Sequence, residues 1–271
     1  MIAPVCIITR HQLRLALSVK VALLITTYNR PDALGAVLES VTLQTRTPDE
    51  VIVCDDGSTA TTRSLIASWL DRLPICYAWV SDRQFRASMT RNLGILKSQS
   101  DLLIFVDGDC LMPPTFIETH VKLAQPGYVL SGGRFLCTRD ETLSILKKDV
   151  SISSVFGNWK FMRWPLGPFR NLGSTRWKSV RTCNLSLHRE DTVRIAGFDE
   201  SYVGWGLEDS DFVIRLIHSG VQIRSGRLGV CVAHLHHDES SRDRLSINHE
   251  RFQETLTNRD HILANSSILH P

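Results

Sequence analysis

Residues 105–110 read FVDGDC, and they close an apolar run, DLLIFVDGDC. Asp107 and Asp109 stand two apart with only Gly108 between them. Carboxylates at the end of a buried strand are costly unless something compensates them. A divalent cation, a basic side chain or water at a surface turn can each do so. Magnesium and manganese favour one or two carboxylates plus substrate phosphates, and a glycine lets the backbone and a ligand approach closely. A second acidic group lies in Gly204-Trp205-Gly206-Leu207-Glu208-Asp209-Ser210-Asp211. It reads either as a helix start with a negative first turn or as a general base on a glycine-flanked loop, with Trp205 as a platform for a sugar ring.

Three further segments carry candidate chemistry. In Asp55-Asp56-Gly57-Ser58 a carboxylate can accept from a base N–H or a ribose hydroxyl; the same residues are also good helix caps. In His234-Leu235-His236-His237-Asp238, alternation along an extended chain places His234 and His236 on one face, where an imidazole can complete a manganese sphere begun by Asp109. A plain polar loop is the alternative. In RASMTRNLG, Arg91 and Asn92 open a helix ahead of the DGDC strand. Arginine pairs bidentately with phosphate, or simply decorates a helix surface.

The elements that must position these residues alternate. Val19–Thr27 is a continuous β-branched apolar run followed by YNRP, which reads as a buried strand and then a helix with Pro31 in its first turn. Ala33, Leu34, Val37, Leu38 and Val41 give that helix its apolar face. Strands follow at Glu50–Cys54, Ile75–Val80 and Leu102–Val106, with helices through Thr62–Leu70 and Ala87–Gln99 between them. Such alternation predicts a mostly parallel sheet with helices on both faces, and ligands at the carboxyl ends of its strands. Three of those ends carry TTYNR, DDGST and DGDC, so the three clusters face one crevice. Beyond residue 110 the pattern predicts a strand over Val129–Leu136, a helix over Thr142–Phe156 and a loop over Asn158–Lys178 dense in aromatic and basic residues. It then predicts strands at Thr182–Leu187 and Gly229–Ala233, and helices at Ser210–Ser219 and Leu245–Leu256.

The chain has 271 residues, enough for one large domain with a real core. Its formal charge of +3 suits an anionic substrate or a membrane-surface contact and excludes a nucleic-acid-binding signature. Seven cysteines form no CxxC pair, which points to reduced thiols and a cytoplasmic setting. No apolar run is long enough to span a bilayer, and the basic N-terminus lacks the order of a signal peptide. The expected division is a leader over 1–18, a nucleotide-binding half over 19–110, an acceptor half over 111–240 and a tail over 241–271. Peripheral contact with the inner membrane face would fall to Trp159, Lys160, Arg163 and Trp164.

The succession TTYNRP, DDGST, RNLG, FVDGDC, TCNLSL, GFDE, GWGLEDSDF and HLHH resembles family 2 of the nucleotide-sugar glycosyltransferases, which have the GT-A fold. The resemblance runs from Val19 to Asp238. Its later part is similar to the galactosyltransferase-type region of animal β-galactosyltransferases and of bacterial chondroitin and related polysaccharide synthases. The first strand ends LLITTYN where many relatives have a proline before TYN. The resemblance implies a single-domain α/β fold and an inverting transfer from a nucleotide-sugar, UDP foremost, to a hydroxyl of a glycan or glycolipid. It implies Mn2+ or Mg2+ as cofactor. It assigns Thr27, Asn29 and Arg30 to the nucleotide pocket, Asp55 or Asp56 to uracil or ribose, and Arg91 and Asn92 to the vicinity of the diphosphate. Asp107 falls on the ribose or sugar side and Asp109 on the metal. Asp209 matches the catalytic base, Glu208 contacts a sugar, and Asp211 supports the site. His234 is the third metal ligand, with His236 the alternative. Two rival readings are a haloacid-dehalogenase-like phosphatase, which also places DxD after a parallel strand, and a non-catalytic nucleotide-sugar-binding module. The phosphatase usually has a threonine shortly after the pair, where this chain has Cys110-Leu111-Met112.

Overall fold

The computed structural model describes residues 19–157, 176–227, 229–238 and 241–270. The leader and most of the aromatic-basic segment lie outside them. β1 (Val21–Thr27), β2 (Glu50–Asp55), β3 (Ile75–Trp79) and β4 (Leu102–Asp107) alternate with α1 (Pro31–Thr42), α2 (Ala60–Ala67) and α3 (Ala87–Lys97). Their apolar runs are covered on both faces. Val21, Leu23 and Ile25 enter one core with Leu34 and Leu38 of α1, while Ala22 and Leu24 enter a second core with Ile95 of α3. The two-residue period of a strand sends successive side chains to opposite faces, so only continuous hydrophobicity satisfies both layers.

The second half supplies β5 (Cys110–Leu111), α4 (Phe116–Leu123), β6 (Tyr128–Ser131), β7 (Gly133–Leu136), α5 (Arg139–Leu146) and α6 (Ile152–Val155). A short 3-10 turn at Trp177–Ser179 leads to β8 (Asn184–His188), α7 (Arg189–Arg194), α8 (Glu208–His218), β9 (Gln222–Ser225), β10 (Cys231–His234) and α9 (Leu245–Thr257). The main sheet has seven strands in the order β3-β2-β1-β4-β8-β6-β9, and β5-β10-β7 form a small second sheet. Pairing is parallel from β3 to β4 and antiparallel on both sides of β8. The register aligns Thr27 with Asp55 and Thr26 with Asp107, so the three polar strand ends lie level.

Two expectations are corrected, and one helix was not foreseen. The single strand over Val129–Leu136 is two strands in different sheets, broken at Gly132. A Cβ there would lie 2.2 Å from the Asn184 side chain, whose amide instead bonds the carbonyls of Gly133 and Val230. The helix over Thr142–Phe156 is α5 and α6. Lys148 takes a left-handed φ of 64°, and the Ser151 hydroxyl recaps the chain by accepting from the Ser154 N–H at 3.2 Å. α4 escapes the periodicity because a buried position of its inner face is held by a polar residue, His120, which is paired with Ser186 and Asn184.

Candidate active site

The acidic corner begins where β4 ends. The Gly108 N–H donates to the Thr26 carbonyl at 2.7 Å, and a Cβ on Gly108 would stand only 3.0 Å from that oxygen. The turn therefore folds tightly onto β1 and carries Asp107 and Asp109 out at the crevice edge. Strand pairing then delivers the imidazole. β10 runs antiparallel to β5 with His234 opposite Cys110, and the Leu235 N–H donates to the Asp109 carbonyl at 2.9 Å. His234 Nε2 ends 3.3 Å from Asp109 Oδ1, and His237 Nε2 lies 3.6 Å from Oδ2.

Candidate ligand atoms of Asp107, Asp109, Cys110 and His234 fall within 4.8 Å of one another. Two carboxylates and an imidazole suit manganese or magnesium. Desolvation, then the neighbouring charges of Asp109 and Asp209, raise Asp107 to about 7 against the pull of Arg91, the mark of a carboxylate pair short of positive charge. Burial lowers His234, which favours the neutral, ligating imidazole. Burial drives the Cys110 thiol well up, so it stays protonated and is a poor ligand for a hard ion. The donor set fits such a cation through Asp109, His234 and Asp107. Strand alternation does not carry His236 to this corner: β10 stops at His234, His236 is exposed, and His237 turns back instead.

The second acidic corner is the first turn of α8. Gly204, Gly206 and Leu207 all take positive φ, at 82°, 109° and 74°, and swing the chain into the helix. Asp209 sits on this fixed helical turn rather than on a loop. The Thr182 N–H donates to its Oδ2 at 3.1 Å and the Thr182 hydroxyl to its Oδ1 at 2.7 Å. Thr182 was not anticipated as a site residue; its place at the head of TCNLSL, just before β8, was the available signal. Arg91, almost fully buried, lies beneath both corners. Its guanidinium reaches Glu208 and Asp209 at 3.3 Å and Asp107 at 3.5 Å, and its Nε donates to Thr26 Oγ1 at 3.3 Å. Burial, then the Asp209 charge, push Glu208 up to about 7. A carboxylate offers about four lone-pair positions. Asp209 uses three of them on described residues, which leaves one without a partner there.

The third corner is built by β1 and β2. Asp55 is fully buried and accepts from the Ser58 N–H at 2.8 Å and the Tyr77 hydroxyl at 2.5 Å. Asp56 accepts the Arg86 N–H on Oδ2 at 2.6 Å, while its buried Oδ1 has no partner among the described residues. Thr27 Oγ1 is equally buried and unpartnered, and the Asp56 N–H bonds the Thr27 carbonyl at 3.0 Å. Both oxygens lie at the carboxyl ends of β1 and β2 and could accept hydrogen bonds from a ligand. Asn29 takes a positive φ of 47° and accepts the Thr59 N–H at 2.9 Å, joining the two loops. Arg30 is part-exposed beside Asp32, at 3.3 Å.

The structure places four further predicted site residues as follows. Arg91 spends its guanidinium on three carboxylates from within and does not stand free for a diphosphate. Asn92 is fully buried; its amide holds the Phe198–Glu200 turn and Ser267, with bonds of 2.8 to 3.1 Å. Asp211 touches no crevice. It pairs with buried Arg215 at 2.7 Å and accepts the Thr255 hydroxyl at 2.7 Å, pinning α8 to α9. Trp205 is exposed, but the Arg242 guanidinium sits 5.2 Å from its ring.

Residues 22–183 match the family model of glycosyl transferase family 2. The chain belongs to glycosyl transferase family 2. A second model, described as the N-terminal domain of galactosyltransferase, matches residues 173–238. Among curated relatives, a validoxylamine A glucosyltransferase of Streptomyces hygroscopicus subsp. limoneus is 31% identical over 85% of this chain and 55% of its own length. The hyaluronan synthase of Pasteurella multocida is 26% identical over 74% of the chain and 23% of that protein. The chain thus spans a little over half of the first relative and about a quarter of the second. Structures with the same fold include S. aureus TarS 1-349 in complex with UDP-GlcNAc, with a TM-score of 0.61, 14% identity, and coverage of 81% of this chain and 59% of that one. Mannosyltransferase PcManGT from Pyrobaculum calidifontis, in complex with GDP-Man and Mn2+, aligns with a TM-score of 0.59 and 16% identity over 90% of this chain and 72% of that one. These likenesses show the GT-A fold of this family 2 chain. They leave the phosphatase reading without support.

Proposed function

We propose that this family 2 protein is an inverting, metal-dependent glycosyltransferase that moves a sugar from a nucleotide-sugar, UDP foremost, to a hydroxyl of a glycan or glycolipid. One observation carries the reading. A metal-capable corner (Asp107, Asp109, His234) and a base-capable corner (Glu208, Asp209) share one buried arginine, beside two orphaned acceptors at the ends of β1 and β2. Asp56 and Thr27 receive donors of the base or ribose, and Asn29 and Arg30 shape the loop over them. Asp55 holds the loop through Ser58 and Tyr77 and makes no direct contact of its own. Mn2+ or Mg2+, held by Asp109 and His234 with Asp107 beside them, would neutralise charge on the departing diphosphate. Asp209 takes the proton of the acceptor hydroxyl, whose oxygen attacks the anomeric carbon from the face opposite the diphosphate and inverts it. Thr182 and Arg91 fix the direction of that carboxylate, and placement supplies much of the rate. Glu208 contacts a sugar, and Trp205 with Arg242 on its ring forms the exposed wall of the acceptor side.

No helix among the described residues is long and apolar enough to cross a membrane. A cytoplasmic enzyme meeting lipid-linked acceptors at the inner membrane face fits that finding. The residues assigned to such contact, Trp159, Lys160, Arg163 and Trp164, lie outside the described ones.

The test is transfer from a panel of UDP-, GDP- and dTDP-sugars with manganese or with chelator. Asp209→Asn should lower kcat by about 10^3-fold or more, as removal of a general base does, while UDP–manganese affinity stays within twofold. Turnover retained in that variant would remove Asp209 as base. UDP-sugar binding without transfer or hydrolysis under any condition would favour the non-catalytic binding module.

A further inference from the structure

Beside the base corner is a cleft of about 480 Å³ between the Gly132–Phe135 segment and the chain leading into β8. Arg134, Lys178, Arg181 and Arg227 line it, and among the described residues no carboxylate does. None of the four forms a salt bridge among the described residues. Arg181 donates only to the carbonyls of Val180 and Lys178, at 2.7 and 3.1 Å, and Lys178 only lies over the Trp177 ring. The cleft borders the chemistry directly. Thr182, which orients Asp209, stands between the lining residues Arg181 and Cys183. Arg134 acts on Asp107 and His234 across the opposite rim.

The sequence concentrates this charge. From Val150 to Arg189 there are seven lysines and arginines and no aspartate or glutamate, so the rest of a chain with formal charge +3 is net negative. Four cations around one concavity repel each other unless an anion joins them. The cation site and the orphaned acceptors of Thr27 and Asp56 already account for a nucleotide diphosphate elsewhere in the crevice. A group lying in this cleft instead lies next to Asp209, where the acceptor must present its hydroxyl.

We propose that the cleft binds an anionic group of the acceptor, a phosphate or a carboxylate, so that the enzyme's acceptor is a negatively charged saccharide. The proposal rests on the glycosyltransferase reading for the word acceptor, but the cleft's taste for anions is measurable without it. Glucose 6-phosphate, glucuronate and neutral methyl glucoside are titrated calorimetrically into the full chain, with and without saturating UDP and manganese. At least one anion should bind tenfold or more tightly than methyl glucoside in the presence of UDP, and weaken as salt screens exposed charges. Which anion wins separates phosphate from carboxylate.

Arg181→Gln with Arg227→Gln should weaken that anion at least tenfold and leave UDP affinity within twofold. Lys147→Gln, an exposed cation outside the cleft, should change neither. Both arginines are exposed, so folding is not at issue, and an unchanged Tm checks this. Equal binding of methyl glucoside, anion affinity untouched by the double variant, or UDP affinity falling in parallel would each overturn the proposal. So would loss of phosphatidylglycerol-vesicle binding with soluble-anion affinity intact. Failure of UDP to bind the unaltered protein would sink the glycosyltransferase reading alone, because anion binding in its absence still decides the chemistry of the cleft.

Discussion

Asp56 shows how one buried oxygen links structure to a pH profile. Burial above all raises its pKa to about 6, against the opposing bond from the Arg86 N–H. The ionised form is the better acceptor for a nucleotide N–H, and it is lost as pH falls through that value. UDP affinity should therefore climb between pH 5 and 7 and level off above; in Asp56→Asn the climb should vanish, as calorimetry across that range will show. The stability effect has the opposite sign. A carboxyl whose folded pKa lies above its unfolded value costs stability as pH rises from about 4 to 6, on the order of 2 kcal/mol. Asp56→Asn should accordingly raise the midpoint of urea unfolding at pH 7 even as it weakens UDP.

At the scale of elements, α3 lies unusually close to the sheet. A Cβ on Gly94 would stand 2.4 Å from Cys54 Sγ and 3.1 Å from a Leu24 methyl. Helix propensity alone favours alanine over glycine by about 1 kcal/mol. Packing should win here, because the thiol is fully buried with nowhere to retreat. Gly94→Ala is expected to destabilise by about 1–3 kcal/mol in denaturant titrations, and to loosen Arg91, one turn earlier on the same helix. A more stable variant would show that the helix can slide outward at no cost. The same closeness explains why Arg91 is buried beneath the acidic corners instead of standing at the surface.

At the scale of the molecule, the metal-capable corner is where the two sheets meet. Asp107 belongs to β4 of the large sheet, and His234 to β10 of the small one. A cation held between them should stabilise the whole fold by mass action. At a hundredfold excess over Kd, manganese should add about 2.7 kcal/mol, a rise of roughly 5–10 °C in Tm. Asp109→Ala should abolish the rise while leaving the metal-free Tm within a few degrees. An equal manganese effect in the variant would place the ion elsewhere.

What could be read without coordinates and what could not divide along one physical line. Continuous β-branched runs must be buried on two faces, so Val21–Thr27, Glu50–Asp55 and Leu102–Asp107 were legible as central strands. Strand–helix alternation then placed their polar ends together, and the motif order pointed to the family. Contacts between residues far apart in the chain were not legible. The pairing of β10 with β5 chose His234 and His237 over His236, and packing of α3 turned Arg91 inward and Asn92 away from the crevice. Local pattern is set by what each segment must bury, so it is written in the segment itself. The partner of a buried charge is set by register and helix docking across the chain, which only the tertiary structure decided.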